Sequence, residues 1–346
     1  MTRLKLALVD GNYMLHRALH TKAYQEMQTS EGVCTGGVLG SFMTVRHAVM
    51  RYSFDRVIVV WDGAHSVRRK KLLPMYKVRD GGKSPKQRSL YEAHRDLFAQ
   101  QEKWVWRLLP LMGAWQMRLA NREADDVIAF MVYHLTGHDV TVVSDDKDML
   151  QLVTPTVSVA RPIKGDVVAY DNFRSVIGVG RAMQLLRLVA AGDAIDRIPG
   201  VAGERTVHRV TSILDAWFRA DGIDTMDLPK DDCEWGGLLG QMVQVCELLG
   251  RFDKRNRRFY ERLASATTEG GDIHRNVELI DLRREEFSLR ERGILADYTS
   301  EAARGTAIVT EPQKDFMKML QHFHVMEARN MVEHWGSILE PLRNLT

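Results

Sequence analysis

Leu4-Lys5-Leu6-Ala7-Leu8-Val9-Asp10 is a short apolar run that ends on a carboxylate. The pattern returns in Arg56-Val57-Ile58-Val59-Val60-Trp61-Asp62. It returns again in Asp139-Val140-Thr141-Val142-Val143-Ser144, which runs into Asp145-Asp146-Lys147-Asp148. Runs of this length with little alternation read as strands buried on both faces of a parallel sheet. In open α/β sheets the ligand site lies beyond the carboxyl ends of the strands. Asp10, Asp62, Asp146 and Asp148 are therefore expected at one edge, although they are far apart in the chain. Clustered carboxylates cannot all stay ionised without cations. Hard divalent ions, Mg²⁺ first among them, are the natural neutralisers.

Between the first two acidic strands, Val38, Phe42, Val45 and Val49 form a helical stripe within Thr35 to Met50, as in a βαβ-type crossover. After the second strand the pattern breaks. From Arg68 to Arg88, nine of 21 residues are Lys or Arg and Asp80 is the single acid. Asp80-Gly81-Gly82 and Ser84-Pro85 interrupt this stretch, which predicts an exposed basic excursion with a flexible tip. Helix returns over 90–112. Glu123 to Leu135 reads as a further helix with Val127, Ile128, Met131 and Leu135 on one face.

A second region starts near residue 180. An apolar helix over Met183 to Ala191 leads into Gly192-Asp193-Ala194-Ile195-Asp196 and Ile198-Pro199-Gly200-Val201-Ala202-Gly203. Glu204 to Phe218 is again helical, giving helix, glycine turn, helix. The remainder, 230–346, reads mainly helical. The expected division is 1–178 and 179–346.

The bulk composition is that of a soluble globular protein, with 27% charged and 45% apolar residues and a net charge of +3. No apolar stretch is long enough to span a membrane, and the chain enters a strand too early for a signal peptide. Cys34, Cys233 and Cys246 have no metal-like spacing and do not pair evenly, which suits free thiols in a reducing cytoplasm.

Two more acid groups join the strand ends. Glu123-Ala124-Asp125-Asp126 opens a helix, where the macrodipole alone would favour acids. Asp193 and Asp196 lie three apart and would share a face if helical. Asp145 reads as loop chemistry. The conjunction of three strand ends, one helix start and one spaced pair predicts a two-metal site suited to in-line displacement at phosphorus. A phosphatase with an aspartyl nucleophile is disfavoured, because Asp10 is followed by Gly11-Asn12 and not by a second Asp two residues on.

These motifs, taken in order, resemble the 5′-nuclease family: the 5′–3′ exonuclease domain of bacterial DNA polymerase I and the stand-alone phage flap endonucleases and exonucleases. The resembling stretches are Leu8-Val9-Asp10-Gly11, Val60-Trp61-Asp62-Gly63, Arg69 with Tyr76-Lys77, Glu123 through Ile128, Asp146 through Val153, and Gly192-Asp193 through Val201. A weaker similarity continues through Val277-Glu278-Leu279 to the terminal helix at 318–335. With no polymerase domain following, the stand-alone, phage-like enzyme is the better match.

The resemblance implies an α/β fold: a PIN-like (5′-nuclease) domain with a mostly parallel central sheet and a helical arch at about 65–105. A mainly helical domain would follow, with a helix–three-turn–helix element at about 183–218. Asp10, Asp62 and Asp125 would hold one Mg²⁺. Glu123, Asp146, Asp148, Asp193 and Asp196 would serve the second, some through water, with Asp126 between the groups or just behind the ligands, and Mn²⁺ could substitute. Lys77 and Arg69, from the arch, would stabilise charge developing on the phosphate.

Contacts to DNA would come from Tyr76, Arg79 and Lys83 in the arch and from Gly200, Gly203, Arg205 and Thr206 at the glycine turn. In the family that turn often holds K⁺; here it is two residues shorter. His16 stands where the family often has a base-stacking tyrosine, and Tyr13 is a nearby alternative. Arg79 sits one position closer to Tyr76-Lys77 than the common spacing.

The implied activity is structure-specific cleavage of 5′-flap or 5′-ended DNA, leaving a 5′-phosphate, with RNase H-like action on RNA–DNA hybrids. The enzyme would be a monomer, working beside a replication polymerase or a single-strand-binding protein. Two alternatives stay open: a PIN-type ribonuclease with the same acidic core, and a silent DNA-structure-binding protein. The basic arch and the glycine turn weigh against the first, the intact acid set against the second.

Overall fold

The computed structural model describes residues 3–28, 32–78, 84–254, 257–267 and 271–304. Among them, six strands form one sheet: β1 (Lys5–Asp10), β2 (Arg56–Trp61), β3 (Trp115–Arg118), β4 (Asp139–Val143), β5 (Val157–Arg161) and β6 (Asp166–Val168). The order across the sheet is β3-β2-β1-β4-β5-β6. Every neighbouring pair is parallel except the β5–β6 hairpin. The sequence reading found three strands of the six. β3 has only four residues, and β5 and β6 alternate too weakly to announce themselves.

The continuous apolar runs have a direct cause. Along β1, Leu6 and Leu8 enter one core while Ala7 and Val9 enter the other, as side chains of a strand alternate between faces. A strand covered on both sides has no solvent face for polar residues to occupy. On one side lie α1 (Gly11–His20), α2 (Lys22–Gln25), α3 (Gly36–Tyr52) and α5 (Pro85–Leu108), the last preceded by the short basic helix α4 (Val67–Leu72). On the other side lies α6 (Ala124–His134), whose Val127, Ile128 and Met131 are fully buried against β1 and β2.

The first half of α5 stands exposed. Its start is fixed by a capping box: Ser84 Oγ accepts from Gln87 N while Gln87 Oε1 accepts from Ser84 N, with Pro85 next.

After α7 (Phe173–Ile177), a third core gathers α8 (Arg181–Ala191), α9 (Glu204–Ala220), α10 (Asp232–Phe252), α11 (Arg257–Ser265) and α12 (Asp272–Ile280). The turn between α8 and α9 needs its glycines. Gly192 adopts φ +66, and a Cβ on Gly200 would lie 2.0 Å from the Ala191 carbonyl oxygen. Asn276 Nδ2 staples the turn from α12 by donating to Val189 O and Pro199 O, both at 2.9 Å.

The expected boundary at 178 is crossed by the chain. Leu282, Phe287 and, on α13 (Leu289–Arg304), Leu295 and Ala302 return to the core beneath α6. Conversely Tyr76, just past α4, packs in the third core. The terminal helix expected at 318–335, and Arg79 and Lys83 of the arch tip, lie outside the described residues.

Candidate metal centre

The strand order reverses between β1 and β4, and the crevice there is where an open α/β sheet places its ligand. Asp10 ends β1 and caps α1, its Oδ1 accepting from Tyr13 N at 2.9 Å. Asp62, one residue past β2, accepts from Ala124 N at 2.8 Å and so seats the first turn of α6 on the sheet edge. The Asp62 N–H donates to Asn12 Oδ1 at 3.0 Å, tying the ends of β1 and β2 together. Past β4, Asp146 Oδ1 accepts from Asp148 N at 2.9 Å, fixing the 3₁₀ turn Lys147–Leu152.

Asp193 and Asp196 reach the same crevice from the α8–α9 turn. The sequence reading set them on a helical face; instead Gly192 ends α8, and Asp193 folds back on its own turn. Its Oδ1 accepts from Ile195 N at 2.7 Å and from Asp196 N at 3.1 Å.

Electrostatics make these groups a single unit. Burial pushes the Asp10 carboxyl up to about 8, and the charges of Asp62, Asp146 and Asp125 add to the rise, against the Tyr13 N–H. Asp62, Asp146 and Asp148 are likewise raised, first by the enclosing protein and then by neighbouring acids. Asp196 rises to about 6 for the same first reason, opposed by Lys77. Asp125 acts on all five. Its charge also acts on Arg69, Lys77 and Asp126 at the start of α6. Crowded carboxylates that raise one another, with only Lys77 and Lys147 as protein cations at their rim, fit divalent ions with oxygen ligands.

Two acids of the same helix start behave differently. Arg69 donates to Asp126 through both terminal nitrogens at 2.7 Å, and to Glu123 Oε2 at 2.7 Å. Its Nε donates to Leu279 O at 2.8 Å. Glu123 also accepts from Tyr76 OH at 2.8 Å and Ser66 N at 3.2 Å, and Lys77 Nζ stands 3.2 Å away. Burial alone would raise Glu123, but His65, Lys77, Arg69 and Tyr76 outweigh it and hold the carboxyl well below its usual range.

Glu123 and Asp126 therefore share a fully buried arginine, whereas the cleft acids meet only Lys77 at 3.6 Å from Asp196 and Lys147 at 3.5 Å from Asp193. Glu123, Asp125 and Asp126 do bring ligand oxygens within 4.8 Å of one another, yet both Asp126 oxygens already accept from Arg69.

The same geometry places the two expected catalytic cations. Arg69 is 1% exposed and faces the α6 start, not the open cleft. The sequence reading set it over a substrate phosphate; burial and full pairing keep it under the site. Lys77 adopts φ +52 and lies between Glu123 and Asp196, 3.6 Å from the latter. Burial would lower its ammonium pKa, but Glu123, Asp125 and Asp196 hold it well above the ordinary range.

Of the residues expected to meet DNA, Tyr76 is 2% exposed, with its hydroxyl committed to Glu123. Tyr13 turns its hydroxyl to Asp145. His16 stacks on Phe98 of α5 at 4.3 Å between ring centroids. At the turn, Gly203 and Arg205 are exposed and Thr206 half-buried. A Cβ on Gly203 would meet nothing within 4 Å, so the space before the α9 N-terminus is open.

Sequence reasoning missed Glu285. It accepts from Ser66 Oγ at 3.0 Å and from Arg68 Nε at 3.2 Å, and pairs with Arg122. This buried carboxylate ties the start of α4 to the returning C-terminal segment. No local signal marks it, because its partners lie more than 160 residues away.

Residues 5–177 match the 5′-3′ exonuclease, N-terminal resolvase-like domain. The chain is 27% identical over 199 residues to a 5′-3′ exonuclease of Buchnera aphidicola, covering 57% of this chain and 65% of that protein. It thus spans just under two thirds of that relative's length. It is 29% identical over 246 residues to DNA polymerase I of Streptococcus pneumoniae, covering 67% of this chain and 27% of the polymerase. In fold it is similar to bacteriophage T5 flap endonuclease, solved as a pseudo-enzyme-product complex with DNA and metal ions. There the TM-score is 0.55 at 18% identity, covering 92% of this chain and 99% of that one.

Proposed function

The chain belongs to the 5′-3′ exonuclease N-terminal, resolvase-like domain family, and from that premise we propose that it is a divalent-metal-dependent 5′-nuclease. Its reaction is hydrolysis of phosphodiester bonds in 5′-flap or 5′-ended DNA, and in RNA of RNA–DNA hybrids. One observation carries the reading: five carboxylates from the ends of β1, β2 and β4 and from the α8–α9 turn gather around Asp125, each raised first by burial and further by neighbouring acids.

Asp10, Asp62, Asp125, Asp146 and Asp148 would hold two Mg²⁺ ions, with Asp193 and Asp196 at the rim; Mn²⁺ would substitute. When bound, such ions make water a stronger nucleophile at neutral pH and offset charge on the phosphate. The protein's own groups do the rest. Lys77 keeps its proton and brings a fixed positive charge to the scissile phosphate. Arg69 is a positioning residue, locking α4 to the start of α6 so that Asp125 points into the cleft. The exposed basic residues of α4 and α5, among them Lys70, Lys71, Lys86 and Arg88, attract the phosphate backbone without reading bases.

The α8–turn–α9 segment serves as the helix–three-turn–helix element. N–H groups at the α9 start, with Arg205 and Thr206, meet the phosphates of the downstream duplex, and K⁺ binds at the turn. The chain acts as a monomer in the cytoplasm, beside a replication polymerase or single-strand-binding protein. Among the described residues no helix is long and apolar enough to cross a membrane.

A labelled 5′ flap, a nicked duplex and single-stranded RNA, each incubated with Mg²⁺ and then with EDTA, test this reading. Flap cleavage that depends on Mg²⁺ supports it. Cleavage of the RNA alone would replace it with a PIN-type ribonuclease. Binding without cleavage in any metal would leave a DNA-structure binder.

A further inference from the structure

Away from the acid cleft, three imidazoles meet where the arch helix lies along α1. His16 and His20 are four apart on α1 and so share one face, a spacing by which two histidines of a helix can ligate one metal ion. His94 comes from α5. Its ring centroid lies 5.4 Å from that of His16 and 4.9 Å from that of His20, with the planes within 15°. One ring nitrogen from each histidine lies within 4.8 Å of the others. His94 Nε2 is buried with no hydrogen-bond partner among the described residues. A buried polar atom left in that state is costly and calls for a partner.

We propose that His16, His20 and His94 form a second metal site, separate from the acid cleft, for a borderline divalent transition ion such as Zn²⁺. Imidazole is the donor such ions prefer, whereas the carboxylates of the cleft suit Mg²⁺. Three histidines with water in the fourth position make an ordinary open zinc site. Zn–N bonds of about 2.0–2.1 Å set ligand nitrogens about 3.4 Å apart in a tetrahedral site. The present nitrogens close to that spacing by side-chain rotation, which the exposed His20 can make freely. The ion would clasp α5 to α1 and fix the angle at which the arch leaves the protein body. It takes no part in hydrolysis, so the site stands apart from the proposed nuclease reading.

Zn²⁺ titrated by calorimetry into the full chain, with the acid cleft saturated by excess Mg²⁺, tests the proposal. The expected result is one equivalent of zinc bound, which raises the unfolding temperature and slows amide hydrogen exchange along α5. Substituted Co²⁺ should give the absorption of a tetrahedral nitrogen site. His20→Ala and His94→Ala should each lose that equivalent while keeping the circular dichroism and Mg²⁺ response of the parent. Absence of a zinc equivalent in the parent chain would overturn the site, as would an equivalent unchanged in both variants. Zinc binding that leaves α5 exchange unaltered would overturn the clasp.

Discussion

Glu123-Ala124-Asp125-Asp126 places three acids in one helical turn, and the fold treats them in opposite ways. Asp125 faces the crevice, where it raises Asp10, Asp62, Asp146, Asp148 and Asp196. Glu123 and Asp126 face the arch base, where Arg69 joins both at 2.7 Å. One side leaves its negative charge for ions from solution. The other brings its own cation from 54 and 57 residues away and becomes a structural pin. A run of acids is therefore not one site; which neighbour supplies the counter-charge decides its use.

The sharpest way to break this comparison is to neutralise each side in turn. Asp125→Asn should lower single-turnover cleavage of a 5′ flap by on the order of 10³-fold, about 4 kcal/mol of barrier at 1.36 kcal/mol per decade. Its unfolding temperature without metal should not fall. Near-parental turnover would remove Asp125 from the metal set. On the other side, Arg69→Ala should cost about 3–5 kcal/mol of stability, since it strands the buried Asp126 carboxylate, while Glu123 keeps Lys77. Urea unfolding measures this, and a loss below about 1 kcal/mol would mean that the pin does not hold the α6 start.

Lys77 stands on the border between the two sides, and Lys77→Ala should separate turnover from affinity. We expect roughly 10²-fold slower single-turnover cleavage, within the range for losing one charge-stabilising donor, with a smaller change in DNA affinity. An unchanged rate would assign Lys77 to the structural side.

The cleft side also predicts a pH slope. Asp10 has a folded-state pKa of about 8 against 3.8 for the ordinary group, so the folded chain binds the extra proton between these values. Stability in EDTA should therefore fall as pH rises from about 4 to about 8, by at most about 1.4 kcal/mol per pH unit from this group. Asp10→Asn, or saturating Mg²⁺, should flatten that part of the profile. A slope that survives both would show that the cleft acids do not carry it.

Much of this was legible in the sequence because the signals are local. The runs into Asp10, Asp62 and Asp146 mark strands buried on both faces, and all three end at one edge of the sheet. Gly192 and Gly200 mark the turn because only glycine tolerates the backbone approach there. The misreadings are long-range. Arg69 in a basic stretch looks solvent-facing, and nothing nearby announces that Leu279 O, Glu123 and Asp126 enclose it. Tyr76 was read as a DNA contact for the same reason, and the return of Leu295 and Ala302 beneath α6 has no local mark.

The sequence by itself determined the α/β class, the strand-end carboxylates, the basic excursion and the helix–turn–helix of residues 183–218, because periodicity, apolar runs and glycines act within a few residues. Tertiary structure alone decided which acids face open solution and which are paired, where the arch base is fixed, and that three histidines meet between α1 and α5. Burial and charge pairing depend on which groups share a volume, and that is settled only when segments distant in sequence pack together.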